Sequence, residues 1–117
     1  MCWLLLATIM TKTIILKVWY PSTVATFSYE MKKIIHSNLI ATADSTDSLP
    51  FKLHDFGFRG VSSVESAGIG GCAHLVNFAG TDTIQALVVA RNFYGSQCAG
   101  FSVPASGKSI RSICITI

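Results

Sequence analysis

The sequence predicts an α/β chain. A short alternating stretch at about 51–56 is followed by two helical patterns, at about 63–78 and 83–94, with short connections between them. An amphipathic helix at about 28–40 precedes this series. A length of 117 residues allows one domain or part of one.

Each element has a local reason. Residues 11–20 are apolar and β-branched, a pattern that fits a strand as well as the end of a packed helix, and Pro21 closes it. In 28–40, Met31, Ile34, Ile35 and Leu39 share a stripe, while Glu30, Lys32, Lys33 and His36 lie mostly elsewhere. Residues 41–50 are rich in Ser, Thr and Asp and read as an exposed connection. The strand at 51–56 ends at Gly57. Ser62 and Glu65 have the spacing of a capping box, so a helix is expected from 63, carrying Ala67, Leu75 and Val76 inward. Gly68, Gly70 and Gly71 weaken that helix, which points to close backbone approach or an irregular turn. In the helix at 83–94, Ile84, Leu87 and Val88 form the expected buried face and Gly95 the stop. Asp82 then lies at the helix N-terminus, where the dipole and free amides favour a carboxylate.

Composition narrows the function classes. Hydrophobic residues make up 50% and charged residues 13%, against about 25% charged in an ordinary soluble domain. That balance implies apolar faces meant for partners outside the chain. The apolar run 2–10 is interrupted by Lys12 and Lys17, which predicts a stretch too short for the roughly 20 residues of a membrane span. Nothing charged precedes Trp3, so a secretory signal is not expected. A net charge of +3 without clustering does not point to nucleic acid. Cys2, Cys72, Cys98 and Cys114 show no CxxC spacing and are expected as free thiols in a reducing compartment. His36, His54 and His74 lack the short spacings of a zinc site.

Two short motifs fail on context. Residues 68–73 match G-x-G-x-x-A, but the capping box puts a helix start before Gly68 and no acid follows about 20 residues later. Gly107-Lys108-Ser109 ends like a phosphate-binding loop, yet Ser102 stands where that loop needs its first glycine.

A longer series remains. Trp19-Tyr20-Pro21-Ser22-Thr23-Val24-Ala25-Thr26 is followed by Lys52-Leu53-His54-Asp55-Phe56-Gly57-Phe58-Arg59-Gly60-Val61-Ser62-Ser63 and Ala67-Gly68-Ile69-Gly70. Then come Ala73-His74-Leu75-Val76-Asn77-Phe78, Gly80-Thr81-Asp82-Thr83 and Gly100-Phe101-Ser102-Val103-Pro104-Ala105. In order and spacing, over about 11–105, this series resembles the nicotinamide phosphoribosyltransferase family. The resemblance implies a fragment of an α/β-barrel-like phosphoribosyltransferase domain. It further implies transfer of phosphoribosyl from phosphoribosyl pyrophosphate to nicotinamide in NAD salvage, with Mg2+ present, in cytoplasmic homodimers with shared active sites.

The resemblance also assigns tasks. Phe56 is the ring that stacks on nicotinamide, although pattern alone favours a core phenylalanine. Arg59 contacts phosphate, against the plainer reading of a surface salt bridge with Asp55 or Glu65. Asp82 accepts from the carboxamide NH2, a contact that disfavours nicotinate, the substrate of a sister activity. Ser102 and Val103 line the base and ribose pocket, and His54 reads as structural support. No catalytic residue and no metal ligand is assigned in this chain.

After Ala105 the family pattern continues with Ala-Glu-His-Ser, whose histidine is phosphorylated in coupling to ATP hydrolysis. Here Ser106-Gly107-Lys108-Ser109 stands instead, and a protonated lysine is not nucleophilic. Residues 107–117 show no resemblance and read as an unrelated tail of a single partial domain, 1–117. The magnesium and pyrophosphate ligands of the family lie beyond it. The expectation is therefore a truncated product without turnover of its own, made by translation through an unspliced donor site at 107–109. The alternative is a non-catalytic remnant that binds a full-length subunit.

Overall fold

The computed structural model describes residues 2–102 and 113–114. They form one long helical rod, then two shorter helices set around a narrow sheet. The rod consists of α1 (Cys2–Ile14), a π-helical segment (Ile15–Trp19) and α2 (Tyr20–Thr42). Residues 11–20 are thus helical, and Pro21 does not close the element. A proline lacks an N–H and crowds the carbonyl one turn back, so it breaks a regular helix interior. Here the chain widens before the proline: the Tyr20 N–H bonds the Ile15 carbonyl, and Pro21 falls in the first turn of α2.

Because the helix continues, the expectation of a segment too short to span is corrected: residues Leu4–Thr42 are long and apolar enough, by length and composition alone, to cross a membrane. The predicted helix at 28–40 is the second half of α2. Its Thr and Ser side chains, including Ser22, Thr23 and Thr26, donate to carbonyls one turn back.

The connection beyond α2 ends in a 3-10 turn (Leu49–Phe51), so the predicted strand at 51–56 contracts to β1 (His54–Asp55). A second 3-10 turn (Gly57–Gly60) follows, then α3 (Val64–Leu75), β2 (Gly80–Thr81), α4 (Ile84–Tyr94), β3 (Phe101–Ser102) and β4 (Ile113–Cys114). The sheet runs β1-β2-β3-β4, with β1, β2 and β3 mutually parallel and β4 antiparallel to β3. His54 pairs with Gly80, Asp55 with Thr81, and Gly80 with Phe101. The fold is mostly helical, with a short parallel sheet, in keeping with an α/β fragment.

The N-cap of α3 is Ser63, whose hydroxyl accepts from the Ser66 N–H at 3.1 Å. The capping box read at Ser62 and Glu65 is one residue out of register, and Glu65 instead pairs with Lys17 at 3.2 Å. The glycine reading holds: a Cβ at Gly68 would lie 2.9 Å from Val89 Cγ2, and one at Gly71 would lie 2.7 Å from Ala86 Cβ. α3 therefore meets α4 nearly backbone to backbone. The core is correspondingly small-residued, comprising Ala67, Ala86, Leu87 and Ala90 with Phe78.

Helix α3 stops at Leu75 rather than 78, because the N–H groups of Asn77 and Phe78 both turn onto the His74 carbonyl. That turn swings Phe78 inward, 2% exposed, and leaves Val76 75% exposed, contrary to its predicted burial. Ile84 and Val88 also face outward, since α4 presents its alanines to α3. Gly95 ends α4 as expected, with φ +67°. Cys72 is a free thiol, but Cys98 is disulfide-bonded, so the free-thiol expectation fails there. Spacing along a chain does not report which cysteines fold together.

Candidate functional site

Three parallel strands end at the same edge of the sheet, and each delivers a polar or aromatic side chain there. Phe56 follows β1, Asp82 follows β2 and Ser102 ends β3. In open α/β sheets this C-terminal edge is where ligands bind, since the chain turns away and leaves a crevice. Here Phe56, Phe58, Arg59, Asp82 and Thr83 line a cavity of about 330 Å³.

The loop after β1 is built by Asp55. Its Oδ1 accepts from the Gly57 N–H at 2.8 Å and its Oδ2 from Thr81 Oγ1 at 3.1 Å, tying the turn to β2. The turn sets Phe56 47% exposed at the strand end, which is not the core position that pattern alone favours. The Arg59 guanidinium carbon stands 5.9 Å from the centre of the Phe56 ring, within cation–π range. Neither carboxylate suggested as its partner is engaged with it: Asp55 is held as described and Glu65 pairs with Lys17. Among the described residues Arg59 makes no ion pair, so its donor fork remains open to an anion.

Asp82 does not cap α4; Thr83 is the cap residue, without a side-chain bond, and its hydroxyl is buried and unpartnered among the described residues. The Asp82 carboxylate turns toward the sheet, where Oδ1 accepts from Ser102 Oγ at 2.6 Å and lies 2.9 Å from His54 Nε2. Burial raises its pKa, but the bonds from Ser102 and His54 and the charges of His54 and Arg59 outweigh this, so it stays below the usual carboxylate range. It is an anion at neutral pH. Ser102 has committed its proton to Asp82 and can meet a ligand as an acceptor. Val103 lies outside the described residues.

Phe56, Arg59, Asp82 and Ser102 are thus brought to one edge. Sequence reading missed the coupling among them. His54 bonds Asp82 across 28 residues and rests against Phe56, ring centres 4.5 Å apart. No spacing rule signals such a pair.

The sequence profile of the nicotinate phosphoribosyltransferase (NAPRTase) family matches residues 51–115, a span that runs on past Ser106. Nicotinamide phosphoribosyltransferase of Xanthomonas campestris pv. campestris is 56% identical over 99 residues, covering 84% of this chain and 21% of that protein. The enzymes of the same name from Acinetobacter baylyi and Mycoplasma pneumoniae are 35% and 36% identical, over 80% and 74% of this chain and 19% of each relative. The chain spans about a fifth of the length of these relatives. With more than half of its residues inside the profile, the chain belongs to the nicotinate phosphoribosyltransferase (NAPRTase) family.

Proposed function

We propose that the cavity at the sheet edge is one wall of a nicotinamide pocket, in a protein that transfers phosphoribosyl from phosphoribosyl pyrophosphate to nicotinamide. The observation that carries this reading is the lining of a single cavity by the exposed Phe56 ring, the Arg59 guanidinium and the Asp82 carboxylate. A flat heteroaromatic amide uses all three kinds of group. The Phe56 face stacks on the ring, a contact worth about 0.5–1.5 kcal/mol beyond burial in comparable aromatic pairs. Asp82 accepts from the amide NH2, and Arg59 takes a phosphate of the sugar. Ser102 supplies a hydrogen bond, and Val103 an apolar contact to base and ribose.

In the reaction, the ring nitrogen's lone pair forms a bond to the anomeric carbon. The bond from that carbon to pyrophosphate breaks, and its electron pair leaves with pyrophosphate. This wall orients the base for that attack by stacking and by the amide contact. Stabilising the leaving pyrophosphate calls for charges beyond those found here. Among the described residues no group of three or more His, Cys, Asp or Glu side chains gathers that could hold a metal ion by protein ligands alone. Magnesium is commonly held by one or two carboxylates together with substrate phosphates, and the chemistry assigned to this wall is that of the chain's own residues. We place the fragment in an α/β-barrel-like domain of a cytoplasmic homodimer, whose second subunit completes the pocket.

Asp82 favours nicotinamide over nicotinate, since a carboxylate repels the acid and can accept only from the amide. The test is Asp82→Ser in a complete homologous enzyme. The ratio of kcat/KM for nicotinamide over nicotinate should fall by about tenfold or more. An unchanged ratio would sink the assignment.

A further inference from the structure

We propose that His54, admitted by Gly80, is the positioning residue that turns one chosen oxygen of Asp82 toward the ligand, and that selection of a neutral amide over a carboxylate depends on it. This rests on the nicotinamide-pocket reading.

The inference starts from Gly80 in β2. A Cβ there would lie 2.7 Å from His54 Nδ1 and 3.4 Å from the Leu53 carbonyl oxygen, so the imidazole occupies space beside a strand position that only glycine leaves open. The ring is then clamped between two neighbours. On one side Phe56 rests against it at 4.5 Å and an interplanar angle of 40°. At its tip, Nε2 reaches Asp82 Oδ1 at 2.9 Å.

Ser102 Oγ donates to that same Oδ1 at 2.6 Å. Two donors on one oxygen leave Oδ2 without a hydrogen-bond partner among the described residues, on a side chain that lines the cavity. The terminal torsion of an aspartate is broad and roughly two-fold, so nothing intrinsic fixes the plane of its two equivalent oxygens. The His54 bond restricts that torsion. An amide NH2 donates to Oδ2, whereas the carboxylate of the acid analogue has no proton to offer and is repelled.

The experiment is made in a complete homologous enzyme that carries this wall, compared with its variants at the matching positions: His54→Phe, which keeps a ring but loses the donor, and His54→Gln, which keeps a donor. Gly80→Ala displaces the ring from the other side. Binding of nicotinamide and of nicotinate is measured by ligand-observed NMR. The 13C titration of the Asp82 carboxyl is followed in parallel, and circular dichroism reports folding. His54→Phe and Gly80→Ala should weaken nicotinamide binding about fivefold, a modest loss because Ser102 still holds the carboxylate, and narrow its preference over nicotinate. The Asp82 carboxyl should titrate higher in both, and His54→Gln should restore most of each effect. If the wild-type enzyme prefers nicotinamide and folded His54→Phe keeps that preference, the clamp is overturned and the pocket reading survives. If the wild-type enzyme shows no preference, the pocket reading falls and the proposed selection with it. An Asp82 titration unmoved in folded His54→Phe overturns the clamp in either case.

Discussion

His74 shows what burial does to a titratable side chain outside the cavity. It is 7% exposed, with Ser28 Oγ 3.0 Å from Nδ1 and the Leu53 carbonyl 3.2 Å from Nε2, and its ring stacks on Phe78 at 5.3 Å. Burial lowers its pKa from the ordinary 6.5, and the Leu53 carbonyl and the Asp55 charge only partly offset this. The unfolded chain therefore takes up a proton at a higher pH than the folded one. The stability this histidine supplies is present above 6.5 and is lost as pH falls through 6.5 toward the lower folded value. Asp82, also depressed, acts in a lower window: its contribution is present above the ordinary 3.8 and is lost below it. The melting temperature should thus decline between about pH 7 and 5.5, and the double substitution Ser28→Ala, His74→Leu should flatten that decline. Thermal melts at several pH values check this, and an unaltered slope would clear His74 of the effect.

Among the elements, the packing of α3 on α4 is the most demanding. The sequence announces it through Gly68, Gly70 and Gly71, whose presence in a helix makes sense only if another backbone comes close. At Gly71 an added Cβ would also lie 3.0 Å from Asp55 Oδ2, the oxygen that ties β1 to β2, so overpacking there would reach the site as well as the core. Gly71→Val should cost about 1–3 kcal/mol. Gly60→Ala, where nothing lies within 4 Å, serves as the control and should change stability by less than about 0.5 kcal/mol. Urea denaturation of the two variants measures the contrast, and equal losses would refute the close-packing account. The predicted inward positions of Val76, Ile84 and Val88 fail at this same scale. An apolar stripe says which face avoids water, but not which side of the chain supplies the cover.

At the scale of the whole molecule, the apolar excess of the composition becomes visible surface. Leu4, Leu5, Leu6, Ile9, Met10 and Ile14 of α1 are all exposed. A further groove of about 490 Å³ between α2, α3 and α4 is lined by mostly apolar residues such as Ile69, Leu75 and Val89. Patches of this extent drive association in water. Sedimentation velocity should find the purified chain associating with rising concentration, and Leu5→Lys with Ile9→Lys should shift it toward monomer. A wild-type chain that stays monomeric at tens of micromolar would contradict this. The same preparation, supplied with nicotinamide, phosphoribosyl pyrophosphate and magnesium, should form no nicotinamide mononucleotide, and turnover would show that the missing charges are not required.

The sequence by itself determined the helical patterns of α2, α3 and α4, the stop at Gly95, the glycine contact face and, through a long ordered series of motifs, the family. Each of these is written in residues close together in the chain, where periodicity, caps and backbone freedom act. Tertiary structure alone decided that a helix runs through Pro21, that Cys98 is bridged, and that Phe56, Asp82 and Ser102 share one sheet edge. It also decided the orientation of Asp82, through bonds to His54 and Ser102 that span 28 and 20 residues. Contacts at such separations come from strand pairing and helix packing, which arrange side chains that no local rule relates.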